Sequence, residues 1–337
     1  MAKQRLIEAL KIIIPVGLGL YLVIHIYNQL TVEQREELFQ AFKKANYFWV
    51  ILSFFMGLLS HWIRGYRWKY QLEAMGYKPR PANNFMAVMI GYIVNLALPR
   101  VGELSRAAAI ANYENIPFQK SFGSILSERA LDFIILMFIT AGTILLQYEI
   151  LENFAVKLYG LAQSSIGNSI IYILVGFGLG VLFLSIWVLK KYAQSPFIKK
   201  IQGFLNELLE GLRSIFKMEK RGLYLLATAA IWTLYITMFS VCFYALEETS
   251  NAPISAMFAS FVLGSFAIVL IPGGIGAFPV GIMQALLLYD ISAQSGFALG
   301  WILWFSQTSM VVIVGGLCML AMPMLNKKKF HVQTPEN

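Results

Sequence analysis

Three stretches of this chain place charge or clustered glycine among apolar residues: NLALPRVGELSR (95–106), SERALD (127–132) and IPGGIGAFP (271–279). The first follows the apolar run 85–94 and brings Asn95, Pro99, Arg100, Gly102, Glu103 and Arg106 together. Proline has no backbone N–H and breaks an incoming helix, and glycine permits a tight reversal. A helix leaving from near Val101 would present free N–H groups and a positive dipole end, which suits an anion. Arg100 and Arg106 add formal charge, and guanidinium groups bind phosphate through two hydrogen bonds. Glu103 and Arg106 stand at i, i+3 and can pair. The competing reading is that these charges only cap a helix at the membrane surface.

In SERALD, Glu128 and Asp132 share a helix face at i, i+4, where like charges need cationic partners. Arg129 does not serve both, so Arg64, Arg100 and Arg106 are candidate partners. A solvated helix end is the alternative, although Asp132 already lies inside an apolar run. In IPGGIGAFP, Gly273, Gly274 and Gly276 let backbone approach a ligand or helix closely; a buried hairpin turn explains them equally well. No Lys-Ser/Thr follows and no strand precedes, so a nucleotide-binding P-loop is rejected. Any transport would then be passive or ion-coupled.

The elements that position these residues follow from composition. The chain has 337 residues, of which 58% are hydrophobic and 13% charged. Soluble domains average about 45–50% apolar and about 25% charged, so this is an all-α polytopic membrane protein. Six segments are apolar enough to span: 11–27, 47–63, 130–147, 170–189, 223–246 and 297–322. Regions 82–116 and 253–290 are interrupted by proline and glycine. The net charge of +9 sits in loops, as the positive-inside rule expects, so no nucleic-acid partner is implied. Cys242 and Cys318 lie in apolar segments and the three histidines are scattered; neither a metal site nor a cofactor is expected.

Lys- and Arg-rich segments 64–81, 190–221 and 327–329 belong in the cytoplasm, and the cation-poor 148–169, 247–252 and 290–296 outside. Counting crossings then leaves both broken regions with none. They become re-entrant hairpins, one with its tip at Pro99 and Gly102, the other at Pro272, Gly273, Gly274 and Gly276. Of the 27 Lys and Arg residues, all but Arg35, Lys43, Lys44 and Lys157 fall inside. The halves 11–147 and 170–322 repeat the order helix, amphipathic segment, helix, hairpin, helix with opposite orientation. Inverted repeats with interrupted helices point to a transporter-like site near the membrane midplane. The alternative is an eight-span protein with two kinked helices. Residues 1–325 are expected as one transmembrane domain and 326–337 as a cytoplasmic tail, with both termini cytoplasmic and the first helix retained. Segments 33–45 and 197–218 read as amphipathic helices at the membrane surface. Tyr and Trp in HWIRGYRWKY (61–70) read mainly as interfacial anchors, with Arg64 and Arg67 in reach of lipid phosphates.

NLALPRVGELSRAAAI, SERALDFIIL and IPGGIGAF, with RGYRWKYQLEAMG, together resemble the flippase-like membrane family that includes the N-terminal transmembrane part of bacterial lysylphosphatidylglycerol synthases. The resemblance covers about residues 10–322. It implies a bacterial inner-membrane protein that moves aminoacylated phosphatidylglycerol or a related polar lipid between leaflets, with Arg64, Arg67, Asn95, Arg100, Glu103, Arg106, Glu128, Arg129 and Asp132 engaging it. The partners expected are membrane lipids, with a second copy of the chain or a separate lipid-modifying enzyme as further candidates. Two positions depart from the family pattern. Pro279 stands where a glutamate is frequent, and the last span offers Trp304 and Gln307 where an arginine is frequent. The chain ends at residue 337, so the soluble aminoacyltransferase domain is expected to be missing and lysylphosphatidylglycerol not to be made by this chain alone. A membrane-embedded transferase with Glu128 or Asp132 as base, or an accessory subunit, are the alternatives.

Overall fold

The structure, a computed structural model, describes residues 31–98, 101–147 and 217–326, with Tyr21, Ile24, His25, Tyr27, Asn28 and Ile215 as isolated positions. The expected spans 11–27 and 170–189 and the amphipathic segment 197–218 lie largely outside the described residues. Among the described residues the regular elements are helices, and no strand occurs. They divide into two compact units, one formed up to Ile125 and from Lys217 onward, the other beginning at Leu126.

Helix α1 (Val32–Lys44) starts on a reciprocal cap. The Gln34 N–H donates to Thr31 Oγ1 at 3.3 Å and the Thr31 N–H to Gln34 Oε1 at 3.0 Å, satisfying two otherwise orphaned donors. Helix α2 (Tyr47–Ala74) is capped by Asn46, whose side chain accepts from the Phe48 N–H. Helix α3 (Pro81–Ala97) opens on proline, which suits a first helical position because its missing N–H is unbonded there anyway. Helix α4 (Gly102–Glu114) ends at Asn115 in the left-handed region, φ 55°. Helix α5 (Phe118–Leu146) follows. Helix α6 (Arg221–Val241) runs into a tight turn at Cys242–Ala245. After a single helical turn at Glu247–Ser250, helices α7 (Ile254–Leu270), α8 (Ala277–Leu287) and α9 (Ala293–Leu325) complete the described chain.

Four of these, Tyr47–Ala74, Phe118–Leu146, Arg221–Ala245 and Ala293–Leu325, are long and apolar enough to cross a membrane. Their outward faces carry large apolar side chains such as Phe138, Leu226, Leu317 and Leu320, a surface that water would not tolerate and lipid does. The helices overrun the expected spans. Residues 64–74, read from the sequence as a basic loop, continue α2, which runs through Gly65 and stops only where Gly76 takes the left-handed conformation, φ 90°. Likewise α5 begins well before residue 130, so Glu128 and Asp132 sit in mid-helix and not at its start.

Within the first unit, α3 packs along α4 and α7 along α8, making two helical hairpins, and α9 packs against α2, α3 and α8. Trp68, Leu72, Met86, Ala87, Val88, Met89, Ala107, Ile110, Ile116, Ile125, Cys318 and Met322 form the core that joins α2, α3, α4 and the first turns of α5 to α9. Close approach depends on small residues, as in membrane helix packing generally. A Cβ added to Gly300 of α9 would stand 2.5 Å from the Cα of Pro279 in α8, and one on Gly65 of α2 would stand 2.9 Å from the Phe85 backbone in α3.

Candidate functional site at the hairpin tips

The first hairpin reverses between Ala97 and Gly102; Pro99 and Arg100 lie outside the described residues. Asn95, near the end of α3, bridges the break. Its Oδ1 accepts the Gly102 N–H at 2.7 Å and its Nδ2 donates to Glu103 Oε2 at 3.2 Å. One N–H of the α4 N-terminus is therefore satisfied by Asn95, and a carboxylate occupies the first turn, which reduces what that helix end offers an anion. Gly102 is pressed against the Gly91 carbonyl and the Asn95 side chain, where a Cβ would stand 2.6 Å from Asn95 Nδ2. The arms cross at this pair.

The second hairpin reverses through the short turn Pro272–Gly274. Gly273, Gly274 and Gly276 have φ of 66°, 65° and 75°, a region that side chains disfavour. The sequence-level expectation of a glycine-built reversal here is met by the backbone. Trp304 of α9 pins the turn, donating its indole N–H to the Gly273 carbonyl at 2.7 Å. Leu96 of the first hairpin lies over Gly273, with its Cδ1 3.2 Å from where a Cβ would be. The two hairpin tips therefore touch.

Three arginines of α2 and α4 are removed from solvent: Arg64, Arg67 and Arg106 are 2%, 0% and 3% exposed. Arg64 donates through Nε and Nη2 to the Tyr235 hydroxyl at 3.2 and 3.1 Å. Arg67 donates to Thr228 Oγ1 at 3.1 Å. Each guanidinium also lies near a ring: Arg64 at Tyr235 (5.7 Å), Arg67 at Tyr224 (5.3 Å) and Arg106 at Trp68 (3.9 Å). Desolvated cation–π contacts contribute about 2 kcal/mol or more, which offsets part of the cost of burying charge. Trp68 is itself held by its indole N–H donating to Ser124 Oγ at 2.8 Å.

Tyr224, Thr228, Tyr235 and Trp68 are participants that the sequence reading does not assign. Trp68 is fully buried and not an interfacial anchor, whereas Trp62 and Tyr66 of the same stretch are exposed. The signal on α6 was present: Tyr224, Thr228 and Tyr235 fall on one face at helical spacing. Glu103 accepts from the Asn95 side chain and the Arg106 guanidinium lies over the Trp68 ring. Glu128 and Asp132 lie in the second unit, one turn apart on α5 and both buried, with Arg129 half-buried beside them.

The family model described as the lysylphosphatidylglycerol synthase TM region matches residues 11–315. The chain belongs to that family. A UPF0104 membrane protein of Methanocaldococcus jannaschii is 28% identical over 174 residues, 48% of this chain and 51% of that protein. The glycosyltransferase AglD of Haloferax volcanii is 25% identical over 289 residues, 76% of this chain and 46% of that protein. The chain thus spans about half the length of both curated relatives. No solved structure matches it. Family membership and the long apolar helices identify a multi-pass membrane protein. In the fold, Pro279 packs flush against Gly300, and Trp304 pins the second hairpin.

Proposed function

We propose that this member of the lysylphosphatidylglycerol synthase TM family is a flippase-like lipid translocase, binding an anionic or aminoacylated phospholipid, or a related polar lipid, and moving it between leaflets. The observation that carries the reading is the burial of Arg64, Arg67 and Arg106 in helices of a membrane protein. Charge within a spanning helix carries an insertion cost that reaches about 2.5–3.5 kcal/mol at the bilayer centre and falls toward the interface, and such residues usually serve a ligand or ion path. In this reading Arg100 and Arg106 engage the lipid phosphate, while Glu103, Glu128 and Asp132 balance charge or meet a cationic head group.

The two hairpins are re-entrant in the same scheme. A span needs about 20 residues, and the arms have 17 and 13 residues in the first hairpin and 17 and 11 in the second. Contact between the tips supports a meeting point near the midplane, inside an inverted repeat of about six spans with both termini in the cytoplasm of a bacterial inner membrane. A second reading draws on the likeness to AglD, whose name describes a glycosyltransferase: a membrane-embedded transferase, or an accessory subunit presenting a lipid-linked substrate to a separate enzyme.

Reconstitution separates these readings. Vesicles holding the full chain should expose fluorescent anionic lipid to the opposite leaflet faster than empty vesicles, and Arg100→Ala should slow that exchange. Exchange no faster than in empty vesicles would refute the translocase reading. Head-group turnover detected by mass spectrometry would favour the transferase.

A further inference from the structure

The outward face of α2 carries a pattern that the hairpin site does not use. Phe55, Leu59, Trp62, Tyr66 and Lys69 follow one another in alternating steps of four and three residues. At 3.6 residues per turn that spacing keeps all five on one face. Phe55, Leu59, Trp62 and Tyr66 are exposed. The upper part of this stripe forms one wall of a groove lined by Phe55, Leu58, Leu59, Trp62, Phe85 of α3 and Val314 of α9. Its lining residues are all apolar, and the Trp62 and Phe85 rings meet with centroids 5.0 Å apart.

Below Trp62 the stripe becomes polar within two turns. Lys69 Nζ lies 5.2 Å from the centre of the Tyr66 ring and 3.4 Å from Glu73 Oε1. Lys220, at the start of α6, reaches the other oxygen of Glu73 at 2.8 Å and sits 6.0 Å from the centre of the Tyr70 ring. Two ammonium groups thus share the Glu73 carboxylate, a trio of net positive charge at the polar end of the stripe, with Glu219 also near Lys220. The distances fit one leaflet. Phe55 to Lys69 covers about 21 Å of helix at 1.5 Å per residue. Half a hydrocarbon core is about 15 Å, and one interfacial layer adds about 5–7 Å.

We propose that this groove binds one acyl chain of an anionic phospholipid, with the lipid phosphate at Lys69 and Lys220 and Tyr66 and Tyr70 at the interface. The site goes beyond the translocase reading, because it holds lipid at equilibrium whether or not lipid crosses between leaflets. Trp62 lies within it and serves as the probe. The full-length protein is reconstituted in phosphatidylcholine vesicles containing a small fraction of either brominated phosphatidylglycerol or brominated phosphatidylcholine. Subtracting the emission of Trp62→Phe isolates Trp62 from the other tryptophans.

Brominated phosphatidylglycerol should occupy the groove with about fivefold preference, the factor expected from one net lysine charge beside an anionic head group, and quench Trp62 accordingly. The double variant Lys69→Gln with Lys220→Gln leaves the Glu73 carboxylate uncompensated and should abolish the preference for phosphatidylglycerol or reverse it, while Lys69→Arg keeps the preference. Equal quenching in the unaltered protein, or a preference that survives the double variant, overturns the proposal. Neither result depends on lipid exchange, so failure here leaves the translocase reading to its own assay.

Discussion

Replacing Gly102 by alanine tests whether the crossing of the first hairpin holds the fold together. The added methyl would overlap the Gly91 carbonyl oxygen and stand 2.6 Å from Asn95 Nδ2. The carbonyl moves only if α3 moves, so the arms must separate. Overpacking of this kind costs about 1–3 kcal/mol, and a backbone obstacle places this case at the upper end. Separation also lengthens the 2.7 Å bond from the Gly102 N–H to Asn95 Oδ1, which contributes about 1 kcal/mol. Alanine regains about 0.5–1 kcal/mol through its better helix propensity. The net loss is about 3 kcal/mol, which at about 2–4 °C per kcal/mol lowers the unfolding temperature by about 6–12 °C. The assay is thermal unfolding of purified protein in detergent, with Gly316→Ala as reference. Gly316 lies in α9 with nothing within 4 Å of an added Cβ, so its variant should melt at or slightly above the parent temperature. Equal melting of Gly102→Ala and Gly316→Ala would show that the arms are not held at this crossing.

Trp304→Phe should loosen the second hairpin by about 1 kcal/mol, the value of the indole bond to the Gly273 carbonyl, read as faster amide exchange at 271–276 with little change elsewhere. Uniform exchange across α7 and α8 would contradict it. Gln119→Cys and Asn251→Cys, both exposed, should react with a membrane-impermeant maleimide from opposite sides, the first from the cytoplasm; the native cysteines are buried and should contribute little background. Labelling of Gln119→Cys from outside would break the re-entrant scheme. Hydrogen bonding to Glu73 raises the Lys220 pKa above its ordinary value. A raised lysine contributes stability that is present below the unfolded pKa and is lost as pH rises through the folded one. Glu73→Gln should therefore lower stability at neutral pH and narrow its gap from the parent in strongly alkaline solution; a gap constant with pH would refute the pairing.

Much of the architecture was legible because the membrane leaves few choices. A long uncharged run must satisfy its backbone internally, so α2, α5, α6 and α9 could be read from hydropathy alone. Proline and glycine likewise marked both reversals, since Pro99 and the glycines at 273, 274 and 276 cannot continue a helix without strain. The sequence also named the family, whose model matches residues 11–315.

What sequence did not decide were partners and helix ends. Residues 64–74 are charged enough to read as loop, yet α2 continues through them. Tertiary contacts explain the difference: Tyr235, Thr228 and Tyr224 on α6, and Trp68 beneath Arg106, give the guanidinium groups neighbours that no local pattern on α2 or α4 supplies. The same holds for Asn95 at the first reversal and Trp304 at the second, where a hydrogen bond between segments determines which backbone groups stay free. Hydropathy and breaker residues act along the chain, so sequence alone established the helices, the hairpins and the family. Contacts between helices distant in sequence act only once the chain is packed, so the tertiary structure decided which charges are buried, what they face and that the two hairpin tips meet.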